Sequence, residues 1–538
     1  MKIRSDLLRI HQSLHTWVGI TTGALLFIGF FAGALTMFKQ PLERWISAPA
    51  HMLPSVAPAS RDKLVSELLL QHTAARHEFT LHLLPRENVT APVVWSEGES
   101  HELQLSGERW QATLNQQGEL QAEKITPDMF GELIDMLHRT AGIPGTLGGE
   151  YIGVYIMGIA GIMYFLALVS GLVLLLPTLV KDFLALRPGK NRKRFWLDAH
   201  NVIGIASLPY HIVISLTVIV FAFHDFFYDG LAEVVYREQP MFTPPAPKVQ
   251  EPYQVQTLMP VSELIARVQQ AAPQFVVDEL LFMDLETVRP RVRVAINSAQ
   301  YILQGPQSGY VIIHPYTGEL LDTSMLPTQA DAWSLTTTSF FALHFGTYGG
   351  NMMRWVYFFL GLGGAFLFYS GNLLWIESRR KKQKQGQAAV VQARNTRWMA
   401  AATIGICLGS IIGTLASLLA GKWLFTAADN INNAYLSVYY AAFLLAIGWA
   451  FYRGAAVASV HLLWLCAAAS IAVPATSLLS VLLPSLRLWA HSSPAALGVD
   501  LTALAAALMF VYGARLTARR VNHGPRDSVW SARRLAHE

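Results

Sequence analysis

Residues 13–38, "SLHTWVGITTGALLFIGFFAGALTMF", form an apolar run long enough to cross a membrane as a helix. A hydrocarbon core of about 30 Å needs roughly 20 helical residues. The run is longer than the apolar core of a signal peptide, about 7–15 residues, so we expect an uncleaved span. Similar runs follow at about 152–178, 198–222, 352–376, 398–420, 433–452, 458–483 and 496–516.

The composition of the whole chain is also typical of a membrane protein. Its 538 residues are 52% hydrophobic and only 14% charged, whereas soluble proteins carry about 25% charged residues. The net charge of +5 comes from basic clusters before the first run and in short loops after the second, fourth, sixth and eighth. If every run spans, these loops share one side, and the positive-inside rule predicts that both termini are cytoplasmic. Membrane lipid is therefore an expected partner, and nucleic acid is not.

Two long polar segments, 39–150 and 223–350, are predicted to face the other side as small α+β domains. Each contains a helical pattern of the same type, "VSELLLQHTAAR" at 65–76 and "VSELIARVQQAA" at 261–272. Each segment also contains the motif "GEL" at a predicted turn between two strands. The glycines of that motif, Gly118 and Gly318, suit tight turns that need a positive φ.

The first 376 residues therefore indicate a duplicated two-span unit with a domain inserted in each copy, and the last spans have no such partner. Duplications of this kind often place functional sites between the copies. The predicted order is a first span (1–38), domain 1 (39–150), spans two and three (151–222), domain 2 (223–350), span four (351–376), a basic cytoplasmic loop (377–397), an additional four-span bundle (398–516) and a cytoplasmic tail (517–538).

Four histidines occupy equivalent places in the two copies. His15 and His200 each begin the pattern His-x3-Gly-Ile at the cytoplasmic end of a span. His138 and His344 each follow a leucine just before the next span. Two imidazoles that face each other across an axis can bind a haem iron from both sides. We therefore predict that these four residues are axial ligands of two haem b groups.

The glycine one turn after the histidine supports this interpretation. Gly19 and Gly204 share a helical face with His15 and His200, and a missing side chain there lets a flat macrocycle lie against the backbone. Two alternatives remain open. His15 could contact lipid headgroups, and the two histidines of the Leu-His pairs could cap short interfacial helices.

His211, in "SLPYHIVISL", is a fifth candidate ligand. In a straight helix it lies on nearly the same face as His200 and about 16 Å deeper, but the first span has Leu26 in its place. It could be a ligand of the outer haem, competing with His138 or His344. It could equally be a hydrogen-bonded core histidine behind Pro209.

Motifs for other chemistry are missing from the chain. It has no phosphate-binding loop, no dinucleotide-binding glycine fingerprint, no nucleophile elbow and no zinc-protease motif. We therefore predict no catalytic side chain of the hydrolytic kind, and we expect electrons to come from a separate donor.

The motifs "RIHQSLHTWVGI" (9–20), "WLDAHNVIGIASLPYHIVI" (196–214) and "FFALHFGTYGGNMMRWVYFFLGLGG" (340–364) resemble the PepSY-associated transmembrane family. These are the iron-regulated membrane proteins of Gram-negative bacteria, and the resemblance covers about residues 1–380. It implies a multi-pass protein of the inner membrane whose two inserted domains are PepSY-like and periplasmic. Some members look like ferric-siderophore reductases that hold haem between four spans.

Carried over to this chain, the resemblance implies electron flow from haem at His15 and His200 to haem near His138 and His344. A periplasmic ferric siderophore, or another ferric chelate, would be the substrate, and a quinol or a cytoplasmic reductase the donor. The chief alternative is a haem-free accessory protein whose outer domains bind a ligand or partner. A transporter is a weaker alternative, because the first four spans hold almost no carboxylates at depth.

Overall fold

The computed structural model describes residues 3–49, 52–84, 89–97, 108–187, 192–237, 249–298, 300–303, 305, 308–326, 329–383 and 390–532. Residues 384–389 of the predicted basic loop and 533–538 of the predicted tail lie outside these ranges. The chain forms two compact units. The membrane unit comprises Met1–Ile46, Met129–Phe223 and Tyr357–Glu538, and the sheet unit comprises Ser47–Asp128 and His224–Val356.

The secondary structure alternates between long apolar helices and short amphipathic elements. The helices are α1 (Ser5–Thr36), α2 (Lys39–Ile46), α3 (Arg61–Gln71), α4 (Phe130–Thr140), α5 (Ile152–Leu175), α6 (Leu179–Asp182), α7 (Arg192–Ala206), α8 (Leu208–Ala222), α9 (His224–Leu231), α10 (Val261–Ala271), α11 (Ala332–Phe345), α12 (Gly350–Ser378), α13 (Arg394–Trp423), α14 (Ile431–Arg453), α15 (Ala455–Leu482) and α16 (Pro494–His523). The strands are β1 (Glu78–His82), β2 (Val93–Trp95), β3 (Arg109–Leu114), β4 (Leu120–Ile125), β5 (Thr146–Leu147), β6 (Glu150–Tyr151), β7 (Val276–Met283), β8 (Arg291–Asn297), β9 (Gly309–Ile313) and β10 (Leu320–Asp322).

The membrane unit confirms the predicted fold class. Among the described residues, seven helices are long and apolar enough to cross a membrane, and the bent pair α7 and α8 makes an eighth candidate. Each lies where the sequence indicates an apolar run. With the sheet, they form a polytopic helical membrane protein carrying a small α+β region.

The third predicted span is not one straight helix. The chain bends by 69° between α7 and α8, with Ser207 at the break and Pro209 in the first turn of α8. Proline is favoured at a helix start because it has no N–H to donate, and it disrupts a helix interior. The expectation that His211 lies on a straight path about 16 Å from His200 is therefore wrong.

The sheet unit joins what the sequence indicates as two separate domains. Its described strands form one eight-stranded antiparallel sheet in the order β10-β9-β8-β7-β1-β2-β3-β4. Each copy contributes four strands, and β1 pairs with β7 across the middle. Those two strands would otherwise be open edges with unpaired backbone groups. Pairing them removes both edges and creates one continuous core.

That core lies on one face of the sheet, under α3 and α10. Phe79 and Phe282, from the two central strands, stack with centroids 4.5 Å apart. The two helices are joined where the Asp62 carboxylate accepts a hydrogen bond from the Val261 N–H. The turns before β4 and β10 contain Gly118 at φ +75° and Gly318 at φ +69°, as predicted for tight turns.

Two helices of the predicted first domain lie in the membrane unit instead. α2 and α4 fall within 39–150, but both pack against the spans rather than under the sheet. They pack there because both helices are amphipathic and each has an apolar face to bury. α4 buries Phe130, Leu133, Ile134 and Leu137, and α2 buries Trp45 and Ile46.

Candidate functional site

His15 of α1 and His200 of α7 lie side by side in the membrane unit. Their ring centroids are 6.4 Å apart, and the ring planes are nearly perpendicular, at 89°. The two residues are 185 positions apart in the chain, so only the packing of α1, α5, α7 and α12 brings them together. The structure thus juxtaposes the first of the two predicted histidine pairs.

Each ring is held through Nδ1 by the span that follows its domain in the repeat. His15 Nδ1 lies 2.9 Å from the Ala167 carbonyl oxygen of α5, and His200 Nδ1 lies 3.0 Å from Ser370 Oγ of α12. Ser170 and Ser370 also donate to the carbonyls of Ala167 and Leu367, three residues earlier. When Nδ1 is engaged in this way, the other ring nitrogen of each imidazole is available as a ligand.

The glycines that touch these rings belong to the facing helices. A Cβ added at Gly171 would lie 2.9 Å from His15 Cε1, and one at Gly371 would lie 3.7 Å from His200 Cε1. By contrast, the space beside Gly19 is open to 4 Å, and a Cβ at Gly204 would meet only Leu367 at 3.8 Å. A cofactor-binding role for Gly19 and Gly204 therefore stays a prediction.

An ion-pair network fixes the start of the helix that carries His200. Asp198, two residues earlier, is 1% exposed and accepts hydrogen bonds from Arg187. Arg194 pairs with the same carboxylate at 3.0 Å, and both arginines also contact Asp182. The hydrogen bonds to Asp198 and Asp182 raise the pKa of Arg187. The loop after α5 and the start of α7 are thereby tied together.

His138 lies in the last turn of α4 and points at the middle of α1. Its Nδ1 is 2.8 Å from the Gly29 carbonyl oxygen, and a Cβ at Gly33 would come within 2.7 Å of the same nitrogen. The ring therefore bonds to a neighbouring span through Nδ1, the same arrangement that His15 shows.

His211 is fully buried in α8 and, within the described part of the chain, neither of its ring nitrogens has a hydrogen-bond partner. Three aromatic rings surround it: Tyr210 at 5.2 Å, Phe30 at 5.6 Å and Tyr164 at 5.9 Å between centroids. For the alternative of a hydrogen-bonded core histidine, the described residues provide no partner; the ligand role stays a prediction.

His344 occupies the position in α11 that His138 occupies in α4, the last turn of the helix. It belongs to the sheet unit, and His138 belongs to the membrane unit. Its ring packs edge-on against Phe345, at 5.5 Å. Pairing of His138 with His344 stays a prediction.

The membrane unit thus contains two levels of histidine along α1. His15 and His200 mark the lower level, while His138 and His211 contact the helix at Gly29 to Gly33 and mark the second, upper level. From His15 to Phe30 is 15 residues, or about 22 Å at 1.5 Å per residue. The two levels are therefore separated by a large part of the thickness of a hydrocarbon core.

His15 and His200, with ring centroids 6.4 Å apart, would be the residues that hold the iron of one haem. Each ring has its Nδ1 engaged, so Nε2 would be the ligand atom, and the haem would supply one-electron chemistry there. At the second level, neither ring nitrogen of His211 has a hydrogen-bond partner among the described residues.

Sequence reasoning missed the residues that orient the histidines. A signal for the residues around His15 and His200 was present, because the Ser-Gly pair at 170–171 recurs at 370–371. The signal for the residues around His138 is the Gly-x3-Gly spacing of Gly29 and Gly33, a pattern that lets membrane helices approach closely. Neither pattern by itself shows that a histidine fills the space.

A model of one protein family matches this chain over residues 12–378, and its description is "PepSY-associated TM region". The chain belongs to this family. The match spans α1 to α12, and so includes both histidine levels and the whole sheet unit. No curated protein matches the chain. The family and the candidate spans together make the protein a multi-pass membrane protein of the iron-regulated type.

Proposed function

We propose that this PepSY-associated protein is a haem-containing oxidoreductase of the bacterial inner membrane that reduces ferric chelates in the periplasm. The observation that carries the proposal is the His15–His200 pair, with centroids 6.4 Å apart and both Nδ1 atoms engaged. The chemistry that two haem b groups would supply is one-electron transfer through their iron. Each ferric ion accepts one electron and leaves the chelate as Fe(II).

The protein's own groups would tune that chemistry. The Ala167 carbonyl and Ser370 hydroxyl fix the rings of His15 and His200, so their Nε2 atoms are directed for ligation. At the second level we assign His138 and His211, because the first is oriented by the Gly29 carbonyl and the second has no other partner among the described residues. His344 is the alternative ligand there.

The direction of electron flow follows from charge. The basic residues near the start of α1 and in the loop before α7 favour the cytoplasmic side, so the His15 level would receive electrons. The level of Gly29 to Gly33 would deliver them towards the periplasm. The donor would be a quinol or a cytoplasmic reductase.

The purified protein should be red. Haem iron held by two imidazoles would give b-type bands that sharpen on reduction, and acid acetone should release the pigment because haem b is held by its ligands and not by a covalent bond. Absorption spectra before and after dithionite measure this. A folded, colourless protein from haem-replete cells would instead support the haem-free accessory function.

A second measurement tests the substrate class. Protein reduced chemically in detergent and freed of excess reductant is mixed with a ferric siderophore and a ferrous chelator. We expect the haem to be reoxidised while the ferrous complex accumulates, one iron for each electron. A red protein that no ferric chelate reoxidises would retain the haem and refute the iron-reductase activity.

Gly171→Ala and its repeat counterpart Gly371→Ala should differ. Alanine at 171 displaces the His15 ring and costs its hydrogen bond, about 0.5–1.5 kcal/mol, which the better helix propensity of alanine, about 1 kcal/mol, roughly offsets. Stability should therefore change little, while the low-spin EPR signal of the lower haem shifts. Alanine at 371 makes an ordinary contact with His200 and should leave the signal unchanged. Equal shifts in both variants would contradict this.

A further inference from the structure

The four-span bundle α13–α16 lies outside the matched residues 12–378, apart from the family's core. One of its helices, α14, runs alongside α4, the short helix that carries His138. Residues of α14 contact both ends of α4. The contacts are made by polar side chains as well as by apolar packing.

At the beginning of α4, the Asn432 side chain accepts a hydrogen bond from the Met129 N–H at 3.0 Å. Asn432 is fully buried, and Asn430 accepts a bond from its N–H while capping α14. One turn later along α14, the Tyr435 ring packs edge-on against Phe130 at 5.6 Å, and both rings are fully buried. A buried amide without its partner would be costly.

At the end of α4, the Tyr440 hydroxyl donates to the Gly142 carbonyl at 2.7 Å. This is where the backbone needs support. Ala141 and Gly142 both have positive φ, +52° and +75°, and a non-glycine residue in that region persists only when its surroundings hold it. Phe443 packs against the cluster that contains Ala141.

Asn432 and Tyr435 of α14 thus contact the beginning of α4, and Tyr440 and Phe443 contact residues at its end, so the contacts follow the two helices in the same order. From 432 to 443 is about 16 Å of helix, the same as the eleven residues of α4. On another side of α4, His138 is bonded to the Gly29 carbonyl of α1. The helix is thus held between α14 and α1.

The equivalent helix of the second copy, α11, differs from α4 in burial. That helix is capped by its own Asp331 and buries only Ala342, whereas α4 buries six residues. His138 and His344, although equivalent in the repeat, therefore lie on helices that differ in burial.

We infer that the α13–α16 bundle is a positioning scaffold for His138, with Asn432 and Tyr440 as its positioning residues. The part of this inference that concerns a cofactor rests on the proposed function. Loss of either hydrogen bond should loosen the end of α4 and change the electronic environment of the upper haem, while His15 and His200 remain undisturbed.

The test uses the full-length protein with Tyr440→Phe and Asn432→Leu. Tyr452→Phe is the matched control, because it lies on the same helix with its side chain 78% exposed. Hydrogen exchange measured by mass spectrometry should become about three- to tenfold faster in peptides covering 129–142, with α5 unchanged. In the same samples, the midpoint potential or EPR signal of one haem should shift and that of the other should not.

Each outcome decides the inference. Exchange at 129–142 that equals wild type in both variants would overturn the scaffold. Faster exchange in all spans, or equal shifts of both haems, would mean general destabilisation and would also overturn it. A colourless wild-type protein would remove the proposed function, and the exchange measurement would then decide whether the bundle holds α4.

Discussion

His15→Ala and His200→Ala should each remove the same haem and about half of the pigment. Each histidine is one side of a pair with 6.4 Å between centroids, and iron that loses one axial imidazole leaves a site that is only half made. The other haem should remain, because His138 and His211 contact α1 about 22 Å away along the helix. Haem content per polypeptide and the reduced-minus-oxidised spectrum give the result.

His461→Ala is the control for this pair. His461 lies in α15, bonded to the Trp449 indole rather than facing another histidine, so the variant should keep both haems. If His200→Ala removed the upper haem and His15→Ala the lower one, the pairing of these two residues would be wrong. His211→Ala should remove the upper haem, in contrast to both.

Trp45→Ala should cause the largest loss of stability in the membrane unit. Trp45 is 1% exposed, and its indole N–H donates to Asp500 at 2.9 Å. The Lys422 ammonium lies 3.7 Å above its ring and donates to the Trp489 carbonyl. Truncation leaves a cavity, at about 3–5 kcal/mol, and deprives the Asp500 carboxylate and the Lys422 ammonium of a shared partner. The thermal unfolding midpoint of the membrane unit in detergent should fall by about 4–7 °C.

Two variants separate packing from polarity. Trp45→Phe keeps the aromatic face beneath Lys422 but has no N–H for Asp500, so its midpoint should lie between wild type and Trp45→Ala. Trp464→Ala removes an indole that is 43% exposed on α15 and should change the midpoint little. An unchanged midpoint in Trp45→Ala would show that this network adds nothing to stability.

The salt bridge between Lys39 and Glu132 extends the same network from α2 to α4. Burial disfavours the charged ammonium, but Glu132, Asp135 and Glu43 outweigh that effect, so the pKa of Lys39 lies above its ordinary value. α2 is thus tied both to the bundle through Trp45 and to α4 through Lys39.

The amino-acid sequence alone was sufficient for the features that depend on local pattern. Apolar length locates the spans, because a bilayer demands about 20 consecutive apolar residues whatever their packing. The repeat of the Leu-His and Ser-Gly pairs locates equivalent positions in the two copies. Gly118 and Gly318 mark turns because the ability to adopt a positive φ follows from the residue type alone.

Contacts between residues distant in the chain required the tertiary structure. The HxxxG pattern singles out His15 and Gly19, yet the glycine that touches the His15 ring is Gly171 of another span. The β1–β7 pairing that merges the two sheets depends on edge backbone groups, which any sequence possesses. The break before Pro209 changes the path from His200 to His211. Periodicity reports which face of a helix is apolar, but the identity of its neighbour depends on how all helices pack together, and that packing brought His15 to His200 and α14 to α4.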